Sequence, residues 1–307
     1  NQDISGWDTS ANTTLSNTFA YAYAFNQPIG IWNTSNVTDF GTTFAGTTSF
    51  NQNIGAWNVT KATSFSSMFE GATVFNNGGS ADINNWTLNT TDNVSLVSMF
   101  RATGAFNQSI ISWNVSKVTS FYYMFFQSAA FNQDLTNWDT SNCSSYQSMF
   151  ESAAVFAGNL SGWTIGSGTM TRMFRSCTNF NSDVSGWNMT NITNVTQLFY
   201  LCTGLNPNIG GWNMTGITSI YYMCNFTLLD RDLSSWDVAA VTNADEFNNN
   251  AGFSSANYDA MLIAWEAQTL QPNVVLDMKG VKRTTASDAA KTSLQGQGWV
   301  ITDGGYV

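Results

Sequence analysis

The sequence predicts a β-rich repeat solenoid followed by a small α/β segment. Three observations point there. Tryptophan returns at Trp7, Trp32, Trp57, Trp86, Trp113, Trp138, Trp163, Trp187, Trp212 and Trp236, with gaps of 24 to 29 residues. Other apolar residues keep the same phase: an aliphatic residue stands three before each of these tryptophans, from Ile4 to Leu233. A Met-Phe pair or close relative follows eleven to fourteen residues later, as at Met68-Phe69 and Met149-Phe150. A fixed period of this length marks stacked repeats, in which one copy cannot bury its own apolar face and relies on its neighbours.

The elements follow from that phase. Trp32, Trp57, Trp113, Trp138, Trp163, Trp187 and Trp212, with the aliphatic and phenylalanine positions, are expected as a core ladder between copies. Parallel strands stacked at about 4.8 Å would then give a sheet roughly 45–50 Å long over about ten copies. The strand is expected at about Gln27 to Trp32 and its equivalents, and the Met-Phe stretch, as in Ser66 to Ala72, as a short helical or 3₁₀ turn on the opposite side. The strand placement carries a parity conflict. Positions three apart face opposite sides of a flat strand, so Ile29 and Trp32 share a side only with a turn or bulge between them.

The repeats span 1–247 and a capping segment spans 248–307, where the period stops. Ser254 is placed to cap a helix with apolar spacing at Tyr258, Met261, Leu262 and Trp265, which Pro272 closes. Val274 to Met278 reads as a strand, Thr285 to Leu294 as a second helix and Gly298 to Thr302 as a last strand. The chain opens mid-repeat at Asn1-Gln2-Asp3-Ile4, which leads us to expect a longer precursor.

Composition narrows the function. There are 20 acidic and 10 basic residues, a net charge of −10, which argues against nucleic-acid binding. No apolar run reaches 18 residues, so no membrane span is expected in this segment. With no histidine and no Cys-x-x-Cys, no metal site is expected, and no cofactor motif or nucleophile elbow occurs. Acidic residues recur four before the tryptophan at Asp3, Asp82, Asp134, Asp183 and Asp232, and read as a solvated turn ladder rather than a calcium or glycan-contact row. We therefore expect no catalytic residues and a non-enzymatic protein.

Phase also groups the cysteines and the glycosylation sequons. Cys177 and Cys202 each lie ten before their tryptophan, on adjacent copies. Their Cα atoms would lie about 5 Å apart, within disulfide range. The alternatives are two buried thiols or a disulfide, and an extracellular setting leads us to expect the disulfide. Asn-x-Ser/Thr sequons follow the tryptophan directly at Asn33, Asn58, Asn114, Asn188 and Asn213. These are candidate N-glycosylation sites, or the by-product of an Asn- and Thr-rich turn. Tyr122-Tyr123 and Tyr221-Tyr222 are less regular and are read as partly buried, with an exposed aromatic row on sugars or protein as the other possibility.

The phrase Phe-Asn-Gln-x-Ile-x-x-Trp-Asn-x-Ser/Thr-x-Val-Thr followed by Met-Phe resembles the BspA-like leucine-rich-repeat surface proteins, the DUF285 or mycoplasma-lipoprotein repeat. Phe50 to Thr60, Phe106 to Thr119 and Phe131 to Ser141 carry it best, and it covers about residues 1–247. Cys224, Leu205, Leu229 and the Gly78-Gly79-Ser80 insertion depart from it and should be irregular. The resemblance implies a right-handed leucine-rich-repeat-like coil, secreted or on a cell surface, that adheres or binds rather than catalyses. The expected partner is a protein or glycan on a cell surface or in a matrix. Self-association into an extracellular filament, sheath or matrix is the alternative, and a carbohydrate-binding or carbohydrate-active protein the more distant one.

Overall fold

In the computed structural model of the protein, each indole N–H from Trp32 to Trp236 donates to a backbone carbonyl of the preceding copy. Trp57 bonds Ile29 O at 3.0 Å, Trp113 bonds Ile83 O at 3.0 Å, Trp138 bonds Ile110 O at 3.1 Å and Trp212 bonds Val184 O at 2.9 Å. From Trp32 to Trp236 the acceptor is the aliphatic residue three before the earlier tryptophan. The ladder tryptophans Trp32, Trp57, Trp113, Trp138, Trp163, Trp187 and Trp212 are all buried. Each ring thus fills the space between copies while its polar edge is satisfied, as a buried tryptophan requires. The structure describes residues 2–249 and 252–307; Asn1, where the mid-repeat opening was read, lies outside them.

Two phenylalanine ladders run beside the indoles. Phe44, Phe69, Phe100, Phe125, Phe150 and Phe174 stack from copy to copy with ring centroids 5.5 to 5.6 Å apart. Within a copy, Phe69 stacks on Phe75 at 3.9 Å, so the two ladders interlock. One contiguous apolar core results, running from Leu15 to Ile301.

The parity conflict is settled by a turn, and the expected strand moves. In each copy the tryptophan N–H bonds the carbonyl three residues back, as Trp57 N to Ile54 O at 3.0 Å. Gln27 to Trp32 is therefore extended chain leading into a β-turn and not a strand. The parallel pairing lies after the tryptophan instead, seven residues on in most copies, nine at Ser95 and six at Thr169. Bridges link Thr14 to Asp39, Asp39 to Ser64, and Ser64 to Ser95, and continue through Ser219 to Asn243. Among the described residues of the repeats, only β1 (Gly168–Thr169) and β2 (Ile192–Asn194) reach strand length, and they pair in parallel. At Val37-Thr38-Asp39-Phe40, Val37 and Phe40 are buried, Asp39 is half-buried at the bridge, and Thr38 is exposed and hydrogen-bonds to Thr13 O through both its N–H and its hydroxyl.

The Met-Phe stretch is neither helix nor 3₁₀. Met68 N bonds Phe65 O, Glu70 N bonds Ser67 O and Ala72 N bonds Phe69 O, a run of overlapping β-turns. The alternate N–H groups reach the next copy, with Ser67 N to Val97 O at 2.8 Å, Phe69 N to Met99 O at 2.9 Å and Gly71 N to Arg101 O at 2.8 Å. Every backbone donor in Phe65 to Ala72 except that of Ser66 is used in this way. The geometry requires two left-handed residues four apart, Ser67 at φ 54° and Gly71 at φ 68°, and the pair recurs at Ser98 and Ala102, and at Ser148 and Ser152. A non-glycine residue there costs about 1 kcal/mol or more, which the copy-to-copy hydrogen bonds offset.

Asparagine forms a third polar ladder. The Asn51 Oδ1 accepts from Asn76 N at 2.8 Å, Asn76 Oδ1 from Asn107 N at 2.9 Å, and Asn107 Oδ1 from Asn132 N at 2.9 Å. Asp230 holds the same place at the end of the row. Its carboxylate accepts from Ser254 N at 2.9 Å, Ser254 Oγ at 2.7 Å and Asn257 Nδ2 at 2.7 Å.

That row leads into the C-terminal segment, where α1 (Ser255–Glu266) starts at the Ser254 cap. It is followed by β3 (Val275–Met278), α2 (Asp288–Gly296) and β4 (Val300–Asp303). The tryptophan spacing widens here, to 34 residues between Trp265 and Trp299, but indole bonds to the preceding segment go on. Trp265 Nε1 donates to Leu233 O at 3.2 Å and its ring stacks on Trp236 at 6.4 Å; Trp299 Nε1 donates to Gln271 O at 2.9 Å. Leu276 bridges Ala244, and β3 pairs in parallel with β4. The segment therefore adds two helix-bearing copies in register with the rest. At the Gly78-Gly79-Ser80 insertion the chain forms two short 3₁₀ turns, Asn77–Gly79 and Ala81–Asn85, pinned by the buried Asn77 side chain, which bonds Ser80 O and Asp82 Oδ1.

Candidate functional site

Three outward stripes can be compared because the copies supply their own internal reference. The first is the sequon stripe. Asn33, Asn58, Asn114, Asn188 and Asn213 are all exposed. Each side-chain carbonyl accepts the N–H two residues on, for instance Thr60 N at 3.1 Å and Thr190 N at 3.1 Å. Asp8, Asp139 and Asp237 do the same work in their copies. The stripe builds the corner of the copy, and acceptor chemistry alone suffices for it. Asn213 Nδ2 is further engaged, donating to Thr190 Oγ1 at 3.2 Å. The residue four before the tryptophan makes a second corner in the same manner, as Asp183 with Ser185 N at 2.9 Å. Hydrogen bonds from Ser185 hold the Asp183 carboxyl below its ordinary range.

The cysteines lie inside. Cys177 and Cys202 are free thiols in the structure, and the expected disulfide is absent. Equivalent side chains on adjacent copies point the same way, not toward each other. Each sulfur instead donates to the previous copy, Cys177 Sγ to Phe150 O at 2.7 Å and Cys202 Sγ to Phe174 O at 2.9 Å. The hydroxyl of Ser128 makes the same bond to Phe100 O at 2.6 Å, so cysteine takes a serine-like role here. Burial pushes the Cys202 thiol up to about 12 and the Cys143 thiol up to about 11, so both stay protonated.

The third stripe is the face formed by the overlapping turns, and it is where the copies differ most. The residue directly after the ladder phenylalanine, or after Cys224 in its place, is exposed or half-buried in most copies and buried at Ala45, Glu151 and Asn225. In order along the chain it reads Ala20, Ala45, Glu70, Arg101, Phe126, Glu151, Arg175, Tyr200, Asn225. Within this row the pattern Glu, Arg, aromatic occurs twice, three copies apart. Arg101 pairs with Glu70 on one side and lies over the rings of Phe126 at 5.4 Å and Tyr123 at 5.6 Å on the other. Arg175 pairs with Glu151 at 2.7 Å and lies over Tyr200 at 5.5 Å. The arginine side chains remain 40% and 34% exposed. Each triad borders an aromatic cluster: Tyr122, Tyr123 and Phe126 in the first, and Tyr200, Tyr221, Tyr222 and Phe226 in the second. Phe226 is 48% exposed and the other rings are half-buried.

Sequence reading singled out the tyrosine pairs but passed over Glu70, Arg101, Glu151 and Arg175. The available signal was their shared place after the Met-Phe pair. Among the described residues no group of three metal-ligating side chains converges, and no helix is long and apolar enough to cross a membrane.

These ladders define a class, the protein built of stacked repeats that displays one variable face. The profile of the family described as Mycoplasma protein of unknown function, DUF285, matches residues 1–95, 78–169 and 167–261, and the chain belongs to that family. Neither curated proteins nor solved structures give a match.

Proposed function

We propose that this chain is a non-enzymatic, BspA-like repeat solenoid, right-handed and leucine-rich-repeat-like, acting outside the cell in adhesion or binding. The observation that carries this reading is the contrast between faces. Positions that hold copies together repeat from one end of the row to the other, whereas the face after the Met-Phe pair changes from alanine to charged and aromatic residues. In a stacked array, recurrence serves the fold, and departures from it are free to serve recognition. Tyrosine, phenylalanine and arginine are also the residue types enriched at binding surfaces. Retention of the full chain on an immobilised extracellular matrix of mixed protein and polysaccharide tests the reading. The variant Phe126→Ala/Tyr200→Ala should lose retention at least about tenfold, and Asn58→Ala on the sequon stripe should keep it. Equal retention of both variants would refute the assignment of this face.

A further inference from the structure

We propose that the turn face binds an extended, uncharged polysaccharide, and that the two Glu-Arg-aromatic triads are equivalent subsites along it. This rests on the binding reading above. Three observations favour this ligand. First, the subsites repeat. Glu70, Arg101 and Phe126 recur as Glu151, Arg175 and Tyr200 three copies further on, a separation of about 14 Å at one copy per strand spacing. A ligand with its own chemical period can meet both in the same way, while a globular protein has no reason to.

Second, charge is cancelled within each subsite. Each arginine is already paired with a glutamate, so neither offers the uncompensated cation that a phosphate, sulfate or carboxylate polymer needs. The net charge of −10 works against such polymers too.

Third, the groups suit hydroxyls and C–H faces together. Glu70, with 31% of its side chain exposed, accepts, both guanidinium groups donate, and half-buried rings supply an apolar surface beside them, while the buried Glu151 holds Arg175 in place. A partner recognised by apolar burial alone would require a broader exposed patch.

The experiment uses the full chain and a panel of neutral glycans: cellohexaose, laminarihexaose, xylohexaose, mannohexaose and chitohexaose, each with its disaccharide, measured by calorimetry. We expect at least one hexasaccharide to bind, and to bind about tenfold or more tighter than its disaccharide, because it reaches both subsites. Phe126→Ala or Tyr200→Ala should each reduce the hexasaccharide to near the disaccharide's affinity. Phe126→Tyr and Tyr200→Phe, which keep the ring, should retain it, and circular dichroism of each variant controls for folding. Silence across the panel overturns the proposal, as does binding that survives Phe126→Ala/Tyr200→Ala. Silence with triad-dependent retention on the mixed matrix would remove the glycan and leave the binding face. Loss of triad dependence in both assays would remove the two readings together.

Discussion

Replacing Trp138 with phenylalanine tests the core ladder at one bond. Trp138 is 1% exposed, and its indole N–H donates to Ile110 O at 3.1 Å. The Ile110 carbonyl also accepts Trp113 N at 3.1 Å, so it is not stranded when the indole goes. The lost hydrogen bond is therefore worth about 1 kcal/mol rather than a full desolvation penalty. The smaller ring leaves a gap against Phe121, stacked at 5.5 Å, and Trp163, at 6.4 Å. That gap costs a further 1–2 kcal/mol, roughly. We expect Trp138→Phe to destabilise by about 2–3 kcal/mol in urea unfolding followed by circular dichroism. Trp7→Phe is the control: that ring is 62% exposed and should shift stability by less than about 0.5 kcal/mol. Hydrogen exchange should localise the Trp138→Phe effect to the neighbouring copies, since each copy contacts only those beside it. Equal costs for the two substitutions would refute the view that indole bonds join the copies.

The remaining predictions concern the junction and the thiols. Ser254 and Asn257 hydrogen bonds, aided by Arg231, outweigh burial and hold the Asp230 carboxyl below its ordinary value of 3.8. A lowered folded value means the contribution is present above the unfolded value and is lost as pH falls through the folded one. Exchange protection of α1 should accordingly weaken below about pH 4, and Asp230→Ala should cost about 1.5–3 kcal/mol at neutral pH but little in acid. A flat pH response of α1 would contradict this. Cys143, Cys177, Cys202 and Cys224 are buried and free, so an aromatic disulfide reagent should find no reactive thiol in the native chain and four after unfolding. Two thiols after unfolding would establish the disulfide instead.

Much of the packing was legible because phase is a strong constraint. Tryptophan, isoleucine and phenylalanine at fixed offsets can satisfy one another only by stacking, and their inward placement follows. The C-terminal helices were legible from ordinary signals, a capping Ser254 and apolar spacing up to Trp265. The bridging residues were not. Asp39, Ser64, Ser95 and Ser145 carry no β-propensity, and a bridge one or two residues wide needs none. The left-handed residues were also hidden, since Ser67, Arg172 and Tyr222 are not residues that signal positive φ. On the candidate face, tyrosine pairs stand out in a sequence, while a glutamate on one copy and an arginine on the next acquire meaning only when the copies lie side by side.

The indole bonds all run the same way, each from one copy back to the one before, and the carbonyls of the Asn51, Asn76 and Asn107 ladder accept from the copy after. A copy thus presents to its successor what its predecessor presented to it. A gene for such a chain can gain or lose a whole copy by recombination between like segments, and the new junction is chemically the same as the old ones. Length becomes a property that inheritance can adjust freely, and with it the number and spacing of whatever the turn face carries.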